Sequence, residues 1–120
     1  DALAKISYSV ENRNITFKYT GEQKNLEDDI DGYSFRLPKT NMQMCEIGTA
    51  LHNCVASYAE SVDEKECTIV YAEKDGEYKI CIEVRGKEVC QERIDRNASP
   101  AGEEKSVLKK WHERHGLDFS

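Results

Sequence analysis

Thr40-Asn41-Met42-Gln43-Met44-Cys45-Glu46-Ile47-Gly48-Thr49-Ala50-Leu51-His52-Asn53-Cys54-Val55-Ala56-Ser57-Tyr58 is the stretch on which the fold turns. Thr40 followed three residues later by Gln43 matches a capping box, in which the hydroxyl accepts an N–H of the first turn and the amide reaches back to the cap. Behind it, Met44, Ile47, Leu51, Val55, Tyr58 and Val62 recur in steps of three and four, the spacing of one helix face. A long helix covering most of 41–63 is expected. Gly48 costs about 1 kcal/mol relative to Ala in a helix interior, so any kink or split is expected there.

Working outward, alternating apolar positions at Ile6, Tyr8 and Val10, then Ile15, Phe17 and Tyr19, flank the turn-rich Glu11–Asn14 and predict an N-terminal β-hairpin. The polar, acidic segment 21–32 reads as loop. Tyr33–Leu37 reads as a short edge strand stopped by Pro38, which has no ladder donor. Beyond the helix, runs at Cys67–Tyr71, Tyr78–Val84 and Glu88–Ile94 are joined by turns at Asp75-Gly76 and Gly86-Lys87, which predicts a three-stranded antiparallel meander. Gly86 in first place suits a type II′ turn, pairing Arg85 with Glu88 and Glu83 with Cys90. Ser99 and Pro100 resemble the N-cap and first position of a last helix. Glu103 and Glu104 lie early in it, Lys109, Lys110 and Arg114 late, and Gly116 beyond. Its stripe of Val107, Leu108 and Trp111 should pack on the sheet, with Leu117 and Phe119 docking the tail. The fold class is α+β, a single domain over 1–120. The start, Asp1-Ala2-Leu3, with neither an initiator Met nor the order of a signal peptide, suggests a domain excised from a longer protein.

A chain of 120 residues, 38% hydrophobic and 33% charged, can bury about two-thirds of its unfolded surface without a metal or disulfide. It has no apolar run long enough for a membrane span. A net charge of −6 and a pI near 5.1 are the wrong sign for holding nucleic acid mainly by phosphate neutralisation, so a protein partner is expected over direct nucleic-acid binding. Cys45, Cys54, Cys67, Cys81 and Cys90 form an odd set with no C-x-x-C pair, which fits reduced thiols in the cytoplasm.

The chemistry-bearing residues gather in the opening stretch. Cys54 as nucleophile with His52 as its base is a pairing used in covalent catalysis. On a continuous helix, however, residues two apart point about 200° from each other. The pair then works only if the helix breaks near Asn53 or each residue finds other partners. The plainer alternative has Cys54 and Tyr58 packing in the core and His52 making a structural hydrogen bond. Glu83, Gln91 and Asn97, in or just after the central hairpin, could line a site beside His52. A zinc site from His52, Cys45, Cys54 and Cys67 is disfavoured because their spacings are not the close pairs such sites use. Glu27, Asp29, Asp31 and Gly32 resemble the start of an EF-hand loop, but Pro38 stands where the bidentate Glu is needed. The common nucleotide, hydrolase and metalloprotease motifs are absent, and no cofactor or metal is expected.

Glu46-x-Gly48-x-x-Leu51-His52-x-Cys54-Val55-x-x-Tyr58, followed by Ile82-Glu83-Val84, Val89-Cys90-Gln91, Asn97 and Trp111, resembles the PcfJ-like domain over about residues 46–111. Asn53 and Ala56 stand where that pattern often has His and Gly, and a glycine is missing ahead of Asn97. The resemblance implies a bacterial protein of conjugative plasmids or other mobile elements, and no particular reaction. Two expectations follow: an accessory or binding module acting through His52, Gln91 and Asn97, or a small hydrolase or nuclease-like enzyme using His52 and Cys54 with Tyr58 or Glu83.

Overall fold

The computed structural model describes residues 14–119, and they form an α+β fold with four helices and a six-stranded sheet. In chain order the elements are α1 (Gly21–Lys24), β1 (Asp28–Ile30), β2 (Tyr33–Arg36), α2 (Asn41–Leu51), a 3-10 turn (Val55–Tyr58), α3 (Ala59–Asp63), β3 (Thr68–Lys74), β4 (Glu77–Arg85), β5 (Glu88–Arg93), a second 3-10 turn (Asp95–Asn97), α4 (Gly102–His115) and β6 (Asp118–Phe119). The sheet runs β1-β2-β3-β4-β5-β6. It is antiparallel throughout except for β6, which lies parallel to β5.

The first arm of the expected N-terminal hairpin lies outside the described residues. The second arm pairs with the run into α2: Thr16 bridges Thr40, and the Phe17 N–H donates to the Lys39 carbonyl at 2.9 Å. The acidic segment is structured rather than loop. Thr20 and Gln23 form a capping box that starts α1, and Asp31 and Gly32, at φ 52° and 87°, turn β1 into β2 with Ile30 opposite Tyr33. Tyr33–Arg36 is therefore an interior strand, with β1 as the edge. Of the carboxylates read against a calcium loop, Asp29 pairs with Arg36, Asp31 with Lys110, and Glu27 accepts the Leu37 N–H; the neighbouring Asp28 pairs with Arg114 and His115.

The sheet is covered on both faces, which is why β3 and β4 are buried along most of their length. On one face Phe35, Val70, Ile80, Ile82, Val84 and Val89 meet Val107, Leu108 and Trp111 of α4. Trp111 stacks on Phe35 with centroids 5.0 Å apart, and its Nε1 donates to the Leu26 carbonyl at 2.8 Å. On the other face Ile69, Tyr71 and Cys81 meet Met44, Ile47 and Leu51 of α2, together with Val55, Ala59 and Val62. The last helix begins at Gly102, later than Ser99 and Pro100 suggested, and its N-cap Ala101 offers no side-chain hydrogen bond. Leu117 is buried as expected, but Phe119 is left exposed.

Candidate functional site

The expected long helix stops at Leu51. His52 takes the left-handed conformation (φ 56°, ψ 51°), and the Gly48 carbonyl accepts both the His52 N–H and the Asn53 N–H, a Schellman-type closure. Asn53 Oδ1 then accepts the Val55 N–H at 3.0 Å and starts the 3-10 turn that leads into α3. Gly48 is not the break, as the sequence suggested, but it permits one. A Cβ there would lie 3.0 Å from the Asn53 carbonyl oxygen, so any side chain would have to push that carbonyl back by a few tenths of an ångström. Val55 and Val62 still return to the buried face, which is why the apolar spacing runs unbroken across the gap.

With the helix broken, His52 and Cys54 are released from the phase that would place them on opposite flanks. Both line one open cavity of about 250 Å³, together with Tyr58, Glu83, Gln91 and Asn97. Cys54 is exposed rather than packed among apolar side chains, which corrects the plainer reading of that residue. Asn53 and Arg93 also line the cavity. Asn53 was marked in the sequence only as a place where the helix could break, whereas Arg93 shares a strand face with Gln91 by simple alternation.

The rim and floor differ in character. At the rim, His52 Nδ1 lies 2.9 Å from Asp95 Oδ1, with both side chains more than half exposed. The hydrogen bond from His52 is the main reason the Asp95 carboxyl is held below its ordinary range, against a smaller upward push from burial. An Nδ1–H donating to a carboxylate leaves Nε2 as the free nitrogen. Arg96 and Asn97, next to Asp95, both have positive φ (60° and 58°). Left-handed non-glycine residues therefore sit on both sides of the rim, a kind of strain that gathers at working sites. Asp95 was missed because its role depends on a partner 43 residues away.

At the floor, Glu83 of β4 lies directly opposite Gln91 of β5, not Cys90. The register shifts between Glu83 and Val84, so Cys90 is the extra residue of a β-bulge, while Arg85 faces Glu88 as expected. Gln91 Nε2 donates to Glu83 Oε1 at 2.8 Å and to the Tyr58 hydroxyl at 2.9 Å, and Arg85 Nε donates to Glu83 Oε2 at 2.8 Å. Glu83 is only 7% exposed, and these donors offset the desolvation of its charge. Cys81 forms part of the wall, where burial pushes its thiol up to about 12, so it is no nucleophile at neutral pH. Among the described residues no group of three or more His, Cys, Asp or Glu side chains is placed to hold a metal ion. No helix there is long and apolar enough to cross a membrane.

A family model described as PcfJ-like protein matches residues 2–108. No curated protein and no solved structure matches the chain.

Proposed function

The chain belongs to the PcfJ-like family, and from that premise we propose that it is an accessory or binding module of a mobile-element protein, holding a protein partner through the His52–Asn97 cavity. One observation carries this reading: four separate segments bring His52, Cys54, Tyr58, Glu83, Gln91 and Asn97 to a single opening. Within it, the buried polar groups are already committed to one another. Glu83 is held by Arg85 and Gln91, and the Tyr58 hydroxyl takes the Gln91 amide. What remains free to meet a partner is the rim, where a His–Asp pair, Asn97 and an exposed thiol present donors and acceptors. A rigid, internally satisfied floor beneath an exposed polar rim suits recognition.

A second reading, a small hydrolase or nuclease-like enzyme, is favoured by one feature: His52 is oriented through Nδ1 by a carboxylate while Cys54 lines the same cavity, the arrangement that activates a nucleophile in triad enzymes. One experiment separates the two. A photo-crosslinking residue is placed at Asn97, and a control at Glu113, in bacteria carrying the element, and alkylation of Cys54 is timed with and without His52→Ala. The binding reading expects a defined protein adduct from position 97 only, and slow labelling indifferent to His52. Adducts to nucleic acid, or none, overturn the proposed partner. Rapid labelling at neutral pH that collapses in His52→Ala transfers the site to the enzyme reading.

A further inference from the structure

A second and larger cavity, about 670 Å³, lies on the α4 side of β5. Glu92, next along the strand from Gln91, points into it and is 4% exposed. His112 Nε2 engages Glu92 Oε2, and the other carboxylate oxygen has no hydrogen-bond partner among the described residues. No buried side-chain oxygen among the described residues lacks a partner, so this second oxygen opens onto the cavity, where it can accept an N–H from a ligand. Above it, Leu108 and Pro100 form apolar wall, and Phe119 stands at the mouth, 56% exposed, with its ring 5.7 Å from that of His112. An exposed phenyl beside an apolar wall offers a stacking surface.

The charge at this cavity is opposite to that of the chain. Arg93, Lys105 and Lys109 line it against the single carboxylate of Glu92, in a protein whose net charge is −6. Lys105 and Lys109 stand one turn apart on α4, both exposed, and neither has an ion-pair partner among the described residues. Two free ammonium groups on one turn, reaching the same opening, match a compact dianion. A long polyanion is opposed by the acidity of the rest of the molecule.

We infer that this cavity binds a small organic phosphate whose aromatic body carries an N–H donor, the chemistry of a nucleoside monophosphate with an amino-substituted base. The phosphate sits between Lys105 and Lys109, the ring lies against Phe119, and the exocyclic amine donates to Glu92. The volume falls within the range of about 300–1,000 Å³ typical of small-molecule sites. The two cavities share Arg93 and otherwise have separate walls.

The test is a titration of the full chain with AMP, adenosine, inorganic phosphate and an oligo(dA) strand, followed by NMR shifts of the His112 and Phe119 rings. AMP is expected to saturate, with adenosine and inorganic phosphate each at least about tenfold weaker, a difference of about 1.4 kcal/mol. The Lys105→Ala/Lys109→Ala double variant and Phe119→Ala, all at exposed positions, should each weaken AMP by a similar factor while keeping the native circular dichroism. Asn97→Ala, at the other cavity, should leave it unchanged. The inference is overturned by failure of AMP to saturate below about 5 mM, by equal affinity in the double variant, or by tighter binding of oligo(dA) than of AMP.

Discussion

His52 shows how one residue can serve function at a cost to the fold. A non-glycine residue in the left-handed region costs roughly 1–2 kcal/mol, and His52 adopts it while its side chain makes only an exposed pairing with Asp95, which solvent screens. His52→Gly should therefore leave the unfolding free energy unchanged or raise it by up to about 1 kcal/mol in urea titration. The same change should move the Asp95 carboxyl up toward its ordinary value in an NMR titration. Because Asp95 is depressed in the folded protein, whatever stability the pair contributes is present above the unfolded value and is lost as pH falls through the folded one. Gly48→Ala has the opposite sign. Alanine is the better helix former by about 1 kcal/mol, yet its Cβ would crowd the Asn53 carbonyl at 3.0 Å. A net loss of about 1–2 kcal/mol is expected, and an unchanged or raised urea midpoint would show that the turn at 52–54 does not need the glycine.

Among the elements, β5 carries the most consequence, because the bulge at Cys90 decides which side chains meet the floor. Gln91→Leu keeps the strand and much of the volume but removes both donors from Glu83 and Tyr58. Leaving that carboxylate with Arg85 alone should cost about 1–3 kcal/mol at neutral pH. The loss should shrink when the variant is paired with Glu83→Leu, a non-additivity that a double-mutant cycle measures. The elements were unevenly legible in the sequence. The start of α2 was readable because Thr40 and Gln43 act locally, and the hydroxyl does accept the Gln43 N–H. Its end was not, since the break rests on a histidine in a glycine-like conformation while Val55 and Val62 keep the helical rhythm. Asp31-Gly32 is a strong hairpin signal, but the segment reads as loop because the cationic partners of Asp28 and Asp31 lie on α4, some 80 residues away. The bulge at Cys90 left no trace that alternation alone could detect. The six site residues could be named individually. Their convergence required the broken helix and the shifted register, neither of which is a local property.

At the scale of the molecule, two helical layers clamp one sheet, and the α4 layer is fastened at its edge by charge. His115 Nε2 and Arg114 reach Asp28 at 2.9 and 3.1 Å, tying α4 to β1. Burial is the largest single influence on the Asp28 carboxyl and pushes it upward, but hydrogen bonds from His115, the Asp29 N–H and Arg114 together hold it below its usual 3.8. A depressed carboxylate stabilises the fold above its unfolded pKa, and that stability disappears as pH falls through the folded one. Asp28→Asn should cost roughly 1 kcal/mol at neutral pH after allowance for solvent screening. It should also flatten the loss of stability below pH 3.8; an acid limb identical to that of the unaltered chain would show that the clasp contributes nothing.

The two layers also differ in where their thiols lie. Cys67 and Cys81, 3% and 8% exposed, both belong to the core beneath α2 and α3, Cys81 where that core borders the His52 cavity, whereas no cysteine belongs to the core under α4. The protein thus contains its own one-sided clock. The rate at which Cys67, the more deeply buried of the two, yields to a thiol reagent times the lifting of the α2 side from the sheet, and no label need be introduced to hear it tick.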